Sequence, residues 1–240
     1  ADEQVSLLPL YTNMLTELGL GDSSYLEVQH RQSAEVGAIS AFSSMRGAVD
    51  DEQAVTANFV LSSKALLRHA TQQSRLMHDT LYKARFDETD RLRDLVSQQR
   101  ARREQSITGS GHALAMTAAS AGMSPLAELN HRLTGLAGIR ALRALDESLD
   151  DKETLQRFAD DLAALHQRVV AMPVQLLAVA ESDKVMGVAD AAADIWLPEA
   201  SRDDTDSFAL PGRREKRGEL WLTNTQVNFC AQAYPTVTVQ

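Results

Sequence analysis

Two alternating runs on either side of a polar turn constrain this chain more than any other feature. The first is Glu35 to Gly47, where Val36, Ala38, Ser40 and Phe42 share one side of an extended backbone and Ile39 and Ala41 take the other. The second is Ala54 to Lys64. There Val55, Ala57, Phe59 and Leu61 share a side, and Asn58, Val60 and Ser62 lie opposite. Between them, Gly47-Ala48-Val49-Asp50-Asp51-Glu52-Gln53 is polar enough to turn the chain. Two strands are predicted, and helical periodicity takes over after Lys64. A small sheet must therefore receive several helices on one face. The expected class is α+β: a small, mainly antiparallel sheet covered by several long helices.

The helical stripes are Leu-rich. Val5 to Leu18 carries Leu7, Leu8, Leu10, Tyr11, Met14, Leu15 and Leu18 as one broad apolar face. A second helix is predicted from Tyr25 to about Ala34, and a third over Ala65–Tyr82 with Leu66, Leu67, Ala70, Gln73, Met77 and Leu81 inward. Asp87 can cap the next, which reaches about Ile107 with Leu92, Leu95, Val96 and Gln99 buried. Gly109-Ser110-Gly111-His112 breaks the pattern, with His112 capping or packing. Ser124-Pro125 opens a helix expected to run on to Leu145. Asp151 to Val170 follows, with Leu155, Phe158, Leu162 and Leu165 inward. Val174 to Ala180 is a short apolar run and reads as a buried strand. Lys184 to about Asp194 reads as a helix.

Residues 199–218 lose all periodicity and read as a linker. Glu219 to Ala231 alternates again and reads as a strand. The expected organisation is one α+β domain over residues 1–198, a linker over 199–218, and the first strand of a following domain over 219–240. The chain's abrupt start and strand-like end suggest a piece of something longer.

Composition excludes several classes. The net charge of −9 argues against a general nucleic-acid binder, which would show a basic face. No apolar run approaches the roughly 20 residues that span a bilayer, so no membrane partner is expected. A compartment is not specified by the sequence; a soluble setting, cytoplasmic or like an organelle matrix, is favoured. With one cysteine, Cys230, no internal disulfide framework exists.

Candidate chemistry is sparse. The six histidines are His30, His69, His78, His112, His131 and His166, and no two stand three or four residues apart. A helix-borne zinc pair needs that spacing, so no metal site is expected within the chain. Cys230 falls in the alternating run opposite Phe229 and is expected to be a buried structural thiol. The arginine run Arg91, Arg93, Arg100, Arg102 and Arg103 could face an anion. It is interleaved with Glu88, Asp90, Asp94 and Glu104, which favours a solvated face. Ser43, Ser44 and Arg46 have two readings: the end of a strand, or side chains facing a peptide in an enclosed chamber.

Short motifs occur in a recognisable order: Leu8-Pro9-Leu10, Leu15-Thr16-Glu17-Leu18-Gly19, Gly37-Ala38-Ile39-Ser40, Gly109-Ser110-Gly111-His112 and Thr225-Gln226-Val227-Asn228-Phe229. In these the chain resembles the carboxyl-terminal half of the insulinase-like (pitrilysin-type) zinc metallopeptidases, in their presequence-protease branch. The resemblance implies a zinc endopeptidase of two related halves that close around an unfolded peptide. The amino-terminal catalytic half would hold zinc and the water-activating glutamate, both outside this chain. This chain would supply a non-catalytic third domain and the start of a fourth, and form a chamber wall, with Ser43, Ser44 and Arg46 as candidate lining. A substrate-holding Arg/Tyr pair would lie beyond Gln240. Leu8 to Thr12 stands where the zinc helix of the active copy would lie, without ligands or base. The negative charge would suit a wall that attracts basic peptides. A different class also fits the long amphipathic helices: a non-enzymatic helical interaction module.

Overall fold

A computed structural model describes residues 2–196, 210–224 and 226–234. Its order is α1 (Asp2–Met14), α2 (Tyr25–Glu35), β1 (Ala38–Gly47), β2 (Val55–Lys64), α3 (Ala70–Tyr82), α4 (Thr89–Gly109), α5 (Gly111–Ser120), α6 (Pro125–Leu133), α7 (Leu136–Ser148), α8 (Lys152–Val170) and α9 (Val185–Trp196). The class is α+β. The two alternating runs form an antiparallel hairpin in which Ala41 faces Leu61, Phe42 faces Val60 and Ser43 faces Phe59.

The hairpin's period of two decides which side is wet. Ala41, Phe59 and Leu61 pack on the main core, while Phe42 is 46% exposed on the outer face. Helix α1 lies against β1, and α3 against β2. The expected helix over Val5 to Leu18 ends at Met14 and passes into a 3-10 turn over Leu15–Glu17, but most of its stripe is buried: Leu10, Tyr11, Met14, Leu15 and Leu18 join Leu81, Phe86, Leu92, Val96, Leu142, Leu155, Phe158, Leu162 and Leu165 in one core, with Leu7 and Leu8 partly buried against it. Each such side chain contributes about 1.5–3 kcal/mol by leaving water. A smaller core of Leu20, Val28 and Leu76, with Val36 and Ile39 against it, holds α2 to the far end of the sheet.

Caps set the helix starts. Ser24 and Glu27 form a capping box at α2. Ser124 Oγ accepts from Ala127 N–H at α6, and Asp151 Oδ2 from Thr154 N–H at α8. Asp87 does not cap α4. Its neighbour Glu88 is the N-cap residue, and that carboxylate accepts instead from Gly19 N–H and Tyr25 N–H. The arginines of α4 pair mainly with other elements. Arg91 meets Glu17, and Arg93 meets Asp150. Arg100 meets Asp146 and Glu147 as well as Glu104. They tie α4 to its neighbours rather than gathering toward an anion.

Several expectations need correction. Leu66 and Leu67 are exposed because α3 starts only at Ala70, after a short 3-10 turn. Its buried phase is Ser74, Leu76, Thr80 and Leu81. His112 is exposed and caps nothing among the described residues, although the helix does break at Ser110. The helix opened by Pro125 stops at Leu133. Asn130 C=O accepts from both Thr134 N–H and Gly135 N–H, and a new helix starts at Leu136. Val174 to Ala180 is not a buried strand: it has no ladder partner among the described residues, and Leu177 and Val179 are 89% and 86% exposed. Only Val174 packs on the core.

Candidate functional site

Three places could carry function: the buried aromatic and histidine pair of α1 and α8, the outer face of the hairpin, and a broad groove over α4 to α7. At the first, Tyr11 is fully buried and its hydroxyl sits 2.9 Å from His166 Nδ1 on α8. Phe59 and Phe86 enclose the pair, with ring centroids 5.8 and 6.2 Å from Tyr11. Burial pushes the His166 pKa down to about 4 and drives the Tyr11 phenol up. His166 is therefore neutral, and the phenol O–H donates to Nδ1 with the ring proton assigned to Nε2. A phenol and one imidazole committed to each other inside an aromatic shell do not fit a zinc site, which needs three or four convergent donors. Among the described residues no group of three or more His, Cys, Asp or Glu is placed to hold a metal ion.

At the second place, the register separates the three candidate lining residues. Ser44 and Arg46 lie opposite Asn58 and Thr56 on the outer face with Phe42 and Val60. Ser43 lies opposite Phe59, on the face turned to the core, and is half-buried. Arg46 is exposed, and Thr56 Oγ1 donates to its carbonyl.

The third place was not legible in the sequence. Residues 210–224 and 226–234 carry no strand or helix, so the described part of Glu219 to Ala231 does not form the expected strand. The segment lies instead across α5, α6 and α7 and closes one side of a groove of about 1900 Å³. Ile107, Leu114, Ala115, Ala118, Leu136 and Ile139 make much of its apolar floor. Two glycines permit the approach. A Cβ at Gly122 would stand 2.2 Å from Glu215 C=O, and one at Gly111 would stand 2.3 Å from the Phe229 ring. Glu215 N–H donates to Gly122 C=O at 2.8 Å.

Side chains pin the rest of the segment. Arg217 reaches Glu128 at 2.5 Å and Glu219 at 2.7 Å. His131, which is 1% exposed, places Nε2 3.3 Å from Glu219 Oε2. Trp221 lies edge-on to His131 and under the Arg140 guanidinium, 4.7 Å from its centroid. Trp221 Nε1–H, His131 and Arg217 together hold the Glu219 carboxyl below its ordinary range, against the opposing pull of burial. Gln53 in the hairpin turn joins three parts: its amide donates to Met123 C=O and accepts from Arg213 N–H. Cys230 is exposed rather than buried, because no sheet covers this stretch. The residues missed here are Gln53, Glu128, His131, Arg140 and Trp221. A lone histidine between Leu129 and Leu133 was the one local signal.

The fold is of the α+β class, a two-stranded antiparallel hairpin covered by helices. The chain belongs to the peptidase-associated family of M16 subfamily C, whose model its residues 1–145 match. It corresponds to a carboxyl-terminal, non-catalytic part of a presequence-protease-type M16 peptidase. It is 26% identical over 241 residues to presequence protease 1, chloroplastic/mitochondrial, of Arabidopsis thaliana, covering 96% of this chain and 21% of that protein. It is 27% identical over 150 residues to the mitochondrial presequence protease of Danio rerio, covering 62% and 15%. The Drosophila melanogaster protein of the same name is 22% identical over 246 residues, covering 98% and 22%. The chain thus spans about a fifth of the length of these relatives, or less. No helix among the described residues is long and apolar enough to cross a membrane.

Proposed function

We propose that this chain forms part of the chamber wall of a zinc-dependent endopeptidase that degrades unfolded peptides. One observation carries the reading. The chain aligns along 96% of its length with a presequence protease, and in this reading Leu8, Pro9, Leu10, Tyr11 and Thr12 stand where a zinc helix would lie, with Tyr11 bonded to His166 instead of a metal. Zinc and the water-activating carboxylate are then supplied by the amino-terminal catalytic half of the same polypeptide. Residues 1–198 act as one peptidase-like domain; of the expected linker 199–218, residues 199–209 lie outside the described residues, and 213–218 pack back on this domain. The relatives' names favour an organelle matrix.

In this reading the outer face of the hairpin, with Ser44 and Arg46, borders the substrate, and Ser43 supports it from beneath. Asp50 and Asp51 at the turn give its tip a negative field that draws basic peptides inward. The test is made in the full-length enzyme. Asp50→Lys/Asp51→Lys lowers kcat/KM several-fold for a basic peptide at low salt and leaves a neutral peptide of the same length unaffected. An unchanged ratio between the two peptides removes this wall from the substrate's path.

A further inference from the structure

The basic run Arg213-Arg214-Glu215-Lys216-Arg217 has no role in the reading above. The structure lays it extended along an acidic rim. Arg217 and Arg213 both reach Glu128, whose side chain is largely buried, and Arg214 pairs with Glu52. The backbone beneath touches Gly122 through one main-chain hydrogen bond. Four residues after Arg217, Trp221 enters the slot between Arg140 and His131, while Leu220 and Leu222 on either side are 87% and 90% exposed. A main-chain hydrogen bond combined with a pocket for a side chain is one way an extended peptide is held, and here opposite charges at the rim add to it.

From this we infer that the acidic surface beneath residues 213–221, formed by Glu52, Gly122, Glu128, His131 and Arg140, is a docking surface for an extended, arginine-containing peptide segment with an aromatic residue a few positions after its last arginine, and that residues 213–221 occupy it in cis. The charge complementarity commits the occupant. Glu52 and Glu128 are the carboxylates that receive the arginines, and Glu128 has little other access to water. A tethered segment competes at an effective concentration of order millimolar, so a free peptide binds weakly until the tether's contacts are removed. The inference rests on the proposed function only for which natural peptide arrives.

The test uses the 240-residue chain and a fluorescein-labelled peptide that copies residues 210–224, read by anisotropy. This readout needs no catalysis, so its failure is distinct from failure of the chamber-wall reading. The chain carrying Arg213→Ser, Arg214→Ser and Arg217→Ser binds the peptide at least about tenfold more tightly than the unaltered chain. Adding Glu52→Gln and Glu128→Gln abolishes the gain, and a peptide whose arginines are serines does not bind. Trp221→Ser gives a second route to a loosened segment with the rim intact, and peptide binding rises there too. Equal binding by the unaltered chain and both loosened variants overturns the inference. So does tight binding that survives loss of Glu52 and Glu128.

Discussion

Replacing Tyr11 by Phe tests the core of this account. The ring stays, with its contacts to Phe59 and Phe86, and only the hydroxyl is lost. That hydroxyl is 2.9 Å from His166 Nδ1, and both side chains are at most 4% exposed. A buried acceptor is left without its partner, which costs about 1–3 kcal/mol. For a chain of this size each kcal/mol lowers Tm by about 2–4 °C. The expected loss is therefore roughly 2–12 °C at pH 8 in a thermal melt followed by circular dichroism, with a matching shift in urea midpoint. A second change, His166→Leu in the Tyr11→Phe background, removes the orphaned nitrogen and restores most of the stability. The same pair sets a pH dependence. The folded His166 pKa of about 4 lies below the unfolded value of 6.5, so the unfolded chain binds more protons between them. Stability is full above pH 6.5 and falls as the pH drops toward 4, by at most about 3 kcal/mol from this residue. In the Tyr11→Phe/His166→Leu chain this part of the pH slope is absent. If Tyr11→Phe leaves the urea midpoint unchanged, the buried hydrogen bond contributes nothing and the reading of this site is wrong.

Other outcomes follow from single contacts. Gly122→Ala puts a methyl group on Glu215 C=O, so the segment at 213–221 lifts away. Trypsin then cleaves between Arg213 and Arg217 several-fold faster, while the melting of the helical body barely moves. Ser24→Ala removes the capping box of α2 and costs about 1 kcal/mol in urea unfolding. Leu162→Ala opens a cavity where a fully buried side chain sat between α8 and the main core and costs about 2–5 kcal/mol.

Much of the fold was legible because periodicity reports burial directly. The stripes of α1 and α8 and the alternation of the hairpin name the residues that make the core. Other features lay beyond that signal. Leu126 to Leu145 keeps its apolar spacing through Thr134 and Gly135, so periodicity passes over a break that hydrogen bonds to Asn130 C=O create. Val174 to Ala180 has the composition of a strand, but a strand exists only with a partner. The placement of 213–221 depends on Glu52, Gln53 and Glu128, which lie far away in sequence and read locally as ordinary surface residues. The candidate site was legible only in outline. Ser43, Ser44 and Arg46 read as one group in the sequence, yet the pleat sends Ser43 to the opposite face.

The most direct measurement compares hydrolysis of an unfolded basic peptide by the 240-residue chain alone and by the full-length polypeptide, each with and without added zinc. Turnover should belong to the full-length protein, depend on the metal, and be absent from the isolated chain at every zinc concentration. Zinc-dependent turnover by the isolated chain, abolished by His166→Ala, would contradict a wall that owns no catalytic groups.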